Sequence, residues 1–184
     1  HPTGIRTVNE KLWALQFAGL IPPTLVSSQI SDHLDFLDQN NCIIAKPTDG
    51  FGGSGIFKLQ KNDPNTQVVF ETLSKNASQA FISQQYIPAA ETGDKRILLL
   101  NGSPLGAVLR RHSEKDHRNN FFAGGSAHAC DITPRDEEII RGLQPHLKSL
   151  GLSFVGIDII GDFLIEVNVT SPTCLQEMNA LNNT

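Results

Sequence analysis

The stretch "VGIDIIGDFLIEVNV", Val155 to Val169, sets apolar and polar residues in near alternation on both sides of a Gly-Asp pair. That is the pattern of an antiparallel hairpin with one buried face. Its register decides everything else, because a slip of one residue carries every side chain to the opposite face. A two-residue loop, Gly161-Asp162, sets Asp158 across from Ile165 and Glu166 across from Ile157, mixing polar with apolar. A three-residue loop, Gly161 to Phe163, sets Ile157 opposite Val167 and Ile159 opposite Ile165. The other face then holds Asp158 opposite Glu166 and Gly156 opposite Asn168. The second register is the better one. Like charges directly opposed across a ladder repel, so a positive group is expected between Asp158 and Glu166. With Asn168 they form an all-oxygen set, which suits Mg2+ or Mn2+ held together with substrate phosphates.

A second stretch points the same way. "DGFGGSG", residues 49–55, lies between "CIIAK" and "IFKLQ", two apolar segments that read as paired strands. Bare backbone N–H groups in a glycine loop can approach phosphate oxygens closely. The loop lacks the G-K-S/T of a P-loop. A strand follows it instead of the helix of a dinucleotide fingerprint. Glycine loops between antiparallel strands serve as flaps over nucleotides, and no H-R-D or D-F-G accompanies this one to suggest a protein kinase. Lys46 ends the preceding strand and can hold a phosphate as a point charge. Flap and carboxylates together imply ATP used for phosphoryl transfer, with Lys11, Lys46 and the Arg110–Arg111 pair as candidate cations.

The remaining composition narrows the class. The chain has 184 residues, 39 % hydrophobic, enough for one domain or two closely packed lobes. A net charge of -4 and an isoelectric point near 5.8 argue against a nucleic-acid scaffold, whose footprint is basic. No apolar run reaches membrane-spanning length, and no signal segment opens the chain. Cys42, Cys130 and Cys174 are scattered, odd in number and without a C-x-x-C, which suits a reducing cytoplasm. The six histidines show no zinc-ligand spacing. The first residue is His1 and not methionine, as expected for a piece of something longer.

The elements follow from periodicity and caps. "NEKLWALQFA" has helical spacing with Thr7 or Asn9 as its cap, and "SDHLDFLDQ" reads as a short helix capped by Ser31. "FETLSKN" is helical and "AFISQQYI" extended. Asn101-Gly102 between two apolar runs is a hairpin turn. "TPRDEEIIRGLQPHLKSLG" has Thr133 at the cap and Pro134 at the first helical position, and Pro145 is expected to kink or divide it. "SPTCLQEMNAL" begins like a helix. The fold class is α+β in two lobes, residues 1–87 with the glycine flap and residues 88–184 with the carboxylate hairpin.

The segments "NEKLWAL", "IIAKPTDGFGGSGIF", "ETL", "QQYIPA", "GDKRILLLNG", "AGG" and "FVGIDIIGDFLIEVNVTSPTC" stand in one collinear order across nearly the whole chain. Together they resemble the ATP-binding region of bacterial glutathione synthetases, within the ATP-grasp superfamily. The resemblance implies an α+β ATP-grasp fold with the nucleotide in a cleft between its lobes. It implies a ligase that joins γ-glutamylcysteine to glycine through an acyl phosphate, giving glutathione, ADP and phosphate. Lys11 and Lys46 would contact ATP phosphates, Gly52 and Gly53 would lie in the flap, and the backbone at Gln85, Tyr86 and Ile87 would read the adenine edge. Asp94 or Lys95 would lie near the ribose. Asp158, Glu166 and Asn168 would hold Mg2+ (or Mn2+), and Arg96 and Arg110 would face the acyl phosphate. Ser171 and Pro172 would line the peptide end. "HSEKDHRNNFFAGGSAHA" would be a lid that excludes water, with Gly124 and Gly125 as hinges and Arg118 reaching the substrate.

The family carries an amino-terminal domain ahead of "NEKL", so the expected partners are small-molecule substrates plus that missing domain or a second copy. No nucleic acid and no membrane is expected. The alternatives are a ligase for another carboxylate, or a nucleotide-binding module inactive without that domain. "NVTSPT" resembles the glutathione branch and favours the first reading.

Overall fold

The computed structural model describes residues 1–50, 52–111 and 125–182. In chain order the elements are α1 (Pro2–Thr7), a 3-10 turn (Trp13–Gln16), β1 (Thr24–Ser27), α2 (Ile30–Asn40), β2 (Cys42–Pro47), β3 (Phe57–Gln60), α3 (Thr66–Ser74) and β4 (Phe81–Gln85). A 3-10 turn (Pro88–Thr92) leads to β5 (Asp94–Leu100), β6 (Ser103–Arg111), β7 (Ser126–Ala129), α4 (Pro134–Ser149), β8 (Phe154–Ile160), β9 (Phe163–Asn168) and α5 (Leu175–Asn182). Two compact units result, Pro22–Ile87 and His1–Ile21 with Pro88–Thr184. The expected first lobe, 1–87, is therefore corrected at its amino end: residues 1–21 belong with the carboxy-terminal unit.

The Pro22–Ile87 unit is a four-stranded antiparallel sheet in the order β1-β4-β2-β3. Ile43, Ala45, Leu59 and Phe81 point to one face and pack with Leu37 of α2 and Val69, Phe70 and Leu73 of α3. Alternation sends Ile44, Lys46, Lys58, Ile82 and Gln84 to the other face. The expected cap Ser31 lies inside α2. The cap position is Gln29, which makes no side-chain capping bond; just before it, Ser27 Oγ accepts the Gln29 N–H at 3.0 Å and donates to Asp32 at 2.6 Å.

His33 is buried in this unit and stacks on Phe81 with 3.5 Å between centroids. Its Nε2 lies 3.0 Å from the Ser27 carbonyl, which can only accept, so Nε2 carries the proton and Nδ1 accepts from Ser83 Oγ at 2.7 Å. Burial pushes its pKa down, against smaller opposing effects of the Ser27 carbonyl and Asp32. A folded pKa below the unfolded 6.5 means that the unfolded chain takes up the proton first. Stability from this site is thus complete above pH 6.5 and is lost as the pH falls below it. Urea unfolding at pH 7.5 and 5 is expected to show that loss, and His33→Gln to remove most of it.

The other unit holds a five-stranded antiparallel sheet, β7-β6-β5-β8-β9. Ile97, Leu99, Ile157, Ile159, Leu164 and Val167 face a core completed by Ile139, Leu143 and Leu147 of α4. On the opposite face Leu98 and Val108 meet Cys174 and Met178 at α5. Asn101-Gly102 forms the expected turn, with φ of 53° and 78°. Thr133 caps α4 in a full capping box with Asp136. Pro145 does not divide α4, which runs unbroken to Ser149. Pro145 and Arg141, whose carbonyl loses its helical donor to the ring, are both exposed, so water can take that bond.

Two further expectations are corrected. The segment "NEKLWALQFA" is not a helix beyond the turn Trp13–Gln16. Asn9 does cap, accepting the N–H groups of Lys11 and Leu12. Tertiary bonds then override the helical periodicity: Val167 N–H donates to the Glu10 carbonyl, and Val169 and Thr170 donate to Glu10 Oε1. Leu164 N–H likewise donates to Leu20. The segment covers the outer edge of β9, which would otherwise offer unpaired backbone groups. In the carboxylate hairpin the loop is Gly161-Asp162, two residues and not three. A bulge between Asp158 and Ile159 absorbs Ile165, so Ile159 pairs with Leu164 while Asp158 still pairs with Glu166.

Candidate functional site

The face of the five-stranded sheet opposite α4 gathers charge in its interior. Arg96 on β5 pairs with Asp158 on β8, and Asp94 with Arg110 on β6. Arg96 Nε donates to Asp158 Oδ1, and its Nη2 to Oδ2 at 2.8 Å. Arg110 donates from Nε and Nη2 to the two oxygens of Asp94, at 2.6 and 2.8 Å. Arg110 Nη2 also lies 3.1 Å from Asp158 Oδ2, to which Asn168 Nδ2 donates at 3.3 Å. Arg96, Arg110 and Asp158 are each only 5 % exposed. Two guanidiniums thus face two carboxylates, with forked geometry that lysine could not reproduce.

Burial alone would push Asp158 upward, but Arg110 and Arg96 outweigh it and hold the carboxyl well below the usual range. Burial likewise opposes the charge of both arginines. Asp158 prevails over it at Arg96 and, with Asp94, at Arg110, raising each above its ordinary value. Asp94 is pushed up by burial and by Asp158, against the pull of Arg110. The arginine pair, delivered from the neighbouring strands, thus neutralises Asp158 and Asp94.

Gly156 makes room for this arrangement. A Cβ there would lie 3.0 Å from Pro172 Cβ and 3.1 Å from Arg96 Cδ, so the glycine leaves a slot in which Arg96 lies across β8. Pro172 is thereby placed beside the arginine. Ser171 precedes it and is exposed. Cys174, two residues beyond Pro172, is buried with φ of 90°. Burial pushes its thiol up against the opposing charges of Arg96 and Arg110.

Lys95 does not join the group. Strand alternation turns it to the α4 face, where Nζ binds Asp136 and donates to the Asp131 carbonyl at 2.9 Å. Of the two residues expected near a ribose, the structure brings only Asp94 to the charged cluster. Glu166, half-buried, is the cross-strand partner of Asp158, and half-buried Asn168 follows two residues on. Among the described residues no three His, Cys, Asp or Glu side chains gather as a metal centre. The donor set Asp158, Glu166 and Asn168 nevertheless fits a hard divalent cation, being two carboxylates and an amide on one face.

In the Pro22–Ile87 unit Lys46 is 5 % exposed, and its Nζ donates to Gln84 Oε1 at 3.1 Å. Lys58 Nζ sits 3.8 Å above the Tyr86 ring. The N–H groups of Gln85 and Tyr86 donate to Pro23 and Cys42. Gly52 and Gly53 have φ of 67° and 76°, conformations that favour glycine. Lys11 is half-buried in the other unit, and Gly125 precedes β7. Arg118 and Gly124, with most of the expected lid, lie outside the described residues. Sequence reasoning missed Gly156, Thr24 and Gln84, whose roles appear only once strand partners are known.

The fold, with its two antiparallel sheets and flanking helices, has solved counterparts. D-cycloserine synthetase DcsG superposes with a TM-score of 0.75 at 16 % identity, covering 96 % of this chain and 68 % of its own. D-alanine–D-alanine ligase from Bacillus anthracis, complexed with ATP, gives 0.67 at 15 %, covering 98 % and 62 %. The fold is that of the ATP-grasp ligases.

Sequence goes further than fold. The glutathione synthetase of Thermosynechococcus vestitus is 45 % identical over 183 residues, covering 100 % of this chain and 58 % of the relative. That of Pseudomonas aeruginosa is 43 % identical over 180 residues, covering 97 % and 57 %. The prokaryotic glutathione synthetase ATP-grasp domain matches residues 10–183, and the chain belongs to that family. It spans somewhat over half the length of these curated relatives.

Proposed function

We propose that this chain is the ATP-binding part of a carboxylate–amine ligase of the glutathione synthetase type, joining γ-glutamylcysteine to glycine. The observation that carries the reading is the buried Arg96–Asp158–Arg110 group inside a chain that the family covers almost end to end. Lys46 and Lys11 would hold ATP phosphates, with the N–H groups around Gly52 and Gly53 closing over them. Gln85 and Tyr86 have committed their N–H groups, so the donor toward the adenine edge falls to Ile87. Asp94 can still meet a ribose hydroxyl, because each of its oxygens has a second lone pair.

Arg96 and Arg110 would stabilise negative charge on the acyl phosphate and on the tetrahedral species formed when the glycine amine attacks. Ser171 and Pro172 would line the peptide end beside them. Arg118, with Gly124 and Gly125 as hinges, would close over the substrate and exclude water. Asp158, Glu166 and Asn168 would hold Mg2+ or Mn2+, which when bound neutralises charge on the transferred phosphoryl group. The rest of the peptide site would come from a further domain or a second copy. Cys42, Cys130 and Cys174 form no disulfide among the described residues, which suits a cytoplasmic setting. No helix among the described residues is long and apolar enough to cross a membrane.

The test is phosphate release and product mass with MgATP and γ-glutamylcysteine, with and without glycine. Glycine-dependent phosphate and a glutathione-sized product support the proposal. Turnover only with other acids would mark a different ligase, and ATP binding without turnover a binding module. Glu166→Ala is expected to abolish the Mg2+-dependent part of ATP binding, read by titration calorimetry with and without the metal. Unchanged affinity would remove Glu166 from the ligand set.

A further inference from the structure

Lys46 lies at the end of a directional hydrogen-bond chain that begins two strands away. Thr24 Oγ1 donates to the Pro22 carbonyl at 2.8 Å. Gln84 Nε2 donates to the same Thr24 oxygen at 2.9 Å. Gln84 Oε1 accepts from Lys46 Nζ at 3.1 Å. Thr24 and Gln84 are direct cross-strand partners on β1 and β4, and Gln84 and Lys46 are 7 % and 5 % exposed.

The donor inventory allows one consistent assignment. A carbonyl only accepts, so the Thr24 hydroxyl proton is committed to Pro22 and its oxygen is left as an acceptor. An ammonium only donates, so the Gln84 atom facing Lys46 must be oxygen. Both ends demand the same amide orientation. A flipped Gln84 would turn its NH2 toward the ammonium and its carbonyl toward an oxygen with no proton to give. In so dry a place both mismatches are costly.

We propose that Thr24, acting through Gln84, is a positioning residue for the phosphate-binding lysine: it locks the Gln84 amide so that its carbonyl holds Lys46. This rests on the reading of Lys46 as an ATP contact. Nothing at Thr24 need touch the nucleotide. Thr24→Val keeps the shape but removes the acceptor, freeing the amide to turn. The affinity for MgATP is then expected to fall about tenfold, the scale of one lost hydrogen bond to a charged group. Combining Thr24→Val with Gln84→Glu should recover most of that loss, since a carboxylate offers oxygen to Lys46 whichever way it turns.

The experiment measures MgATP affinity by calorimetry for the parent protein, T24V and T24V/Q84E, with the unfolding temperature of each. In the parent protein, nuclear Overhauser contacts from the Gln84 side-chain NH2 are also recorded; this needs no variant. Loss in T24V, recovery in the double variant and NH2 contacts to the Thr24 methyl support the proposal. T24V binding like the parent would overturn it. So would a loss that Q84E does not repair, or NH2 contacts to the Lys46 side chain in place of Thr24. A parent protein that binds no MgATP would overturn the ATP reading beneath it, and the NH2 contacts would still decide whether Thr24 locks the amide.

Discussion

Asp158→Ala is expected to lower the unfolding free energy by about 3–5 kcal/mol, the range found when one partner of a buried ion pair is removed. Arg96 has both its forked bonds on Asp158, so the variant strands a guanidinium that is 5 % exposed. Arg110 suffers less, because it keeps Asp94. The same asymmetry ranks Asp94→Ala below Asp158→Ala, since Arg110 then retains Asp158 at 3.1 Å. The cost comes from the uncompensated charge and not from a large intrinsic strength of the bridge. A double variant, Arg96→Leu with Asp158→Leu, should therefore be closer to the parent than Asp158→Ala is. Guanidinium unfolding curves of the three proteins check this. A double variant at least as unstable as the single one would mean that packing, and not charge, dominates at this place.

The same group shows how far the sequence carries. Alternation alone placed Asp158, Glu166 and Asn168 on one face, and repulsion between opposed carboxylates demanded a cation there. The shared face survives in the structure, although the loop length inferred from the pattern does not. Apolar pairing was satisfied by a bulge at Ile165, a local irregularity that period-2 reasoning cannot represent. The guanidiniums that neutralise Asp158 were equally out of reach. Arg96 and Arg110 arrive from β5 and β6, and only the order β6-β5-β8-β9 brings them beside Asp158.

Other misses share that cause. The helical spacing at Leu12, Leu15 and Ala18 is real, but bonds from β9 to Glu10 and Leu20 claim the segment. Cap chemistry was legible where it is purely local, at Thr133, and not at α2, whose cap position, Gln29, makes no side-chain capping bond. The partnership of Thr24, Gln84 and Lys46 needs β1-β4-β2 adjacency, which no spacing announces.

On the proposed ligase function, Arg96→Lys should leave ATP binding near the parent value while lowering glycine-dependent turnover about 10²–10³-fold, the range for removing one preorganised donor to a developing oxyanion. Lysine keeps a charge beside Asp158, so an uncompensated buried charge of the kind Asp158→Ala leaves is largely avoided. It loses the planar fork, and with it the two parallel bonds that hold the side chain flat in the slot above Gly156. Steady-state rates and a separate MgATP titration divide the two effects. A fall in kcat with constant ATP affinity is what a group acting on the acyl phosphate must give. If Arg96→Lys turned over within a few-fold of the parent, Arg96 would be the counter-ion of Asp158 and nothing more, and the transition-state charge would rest on Arg110 alone.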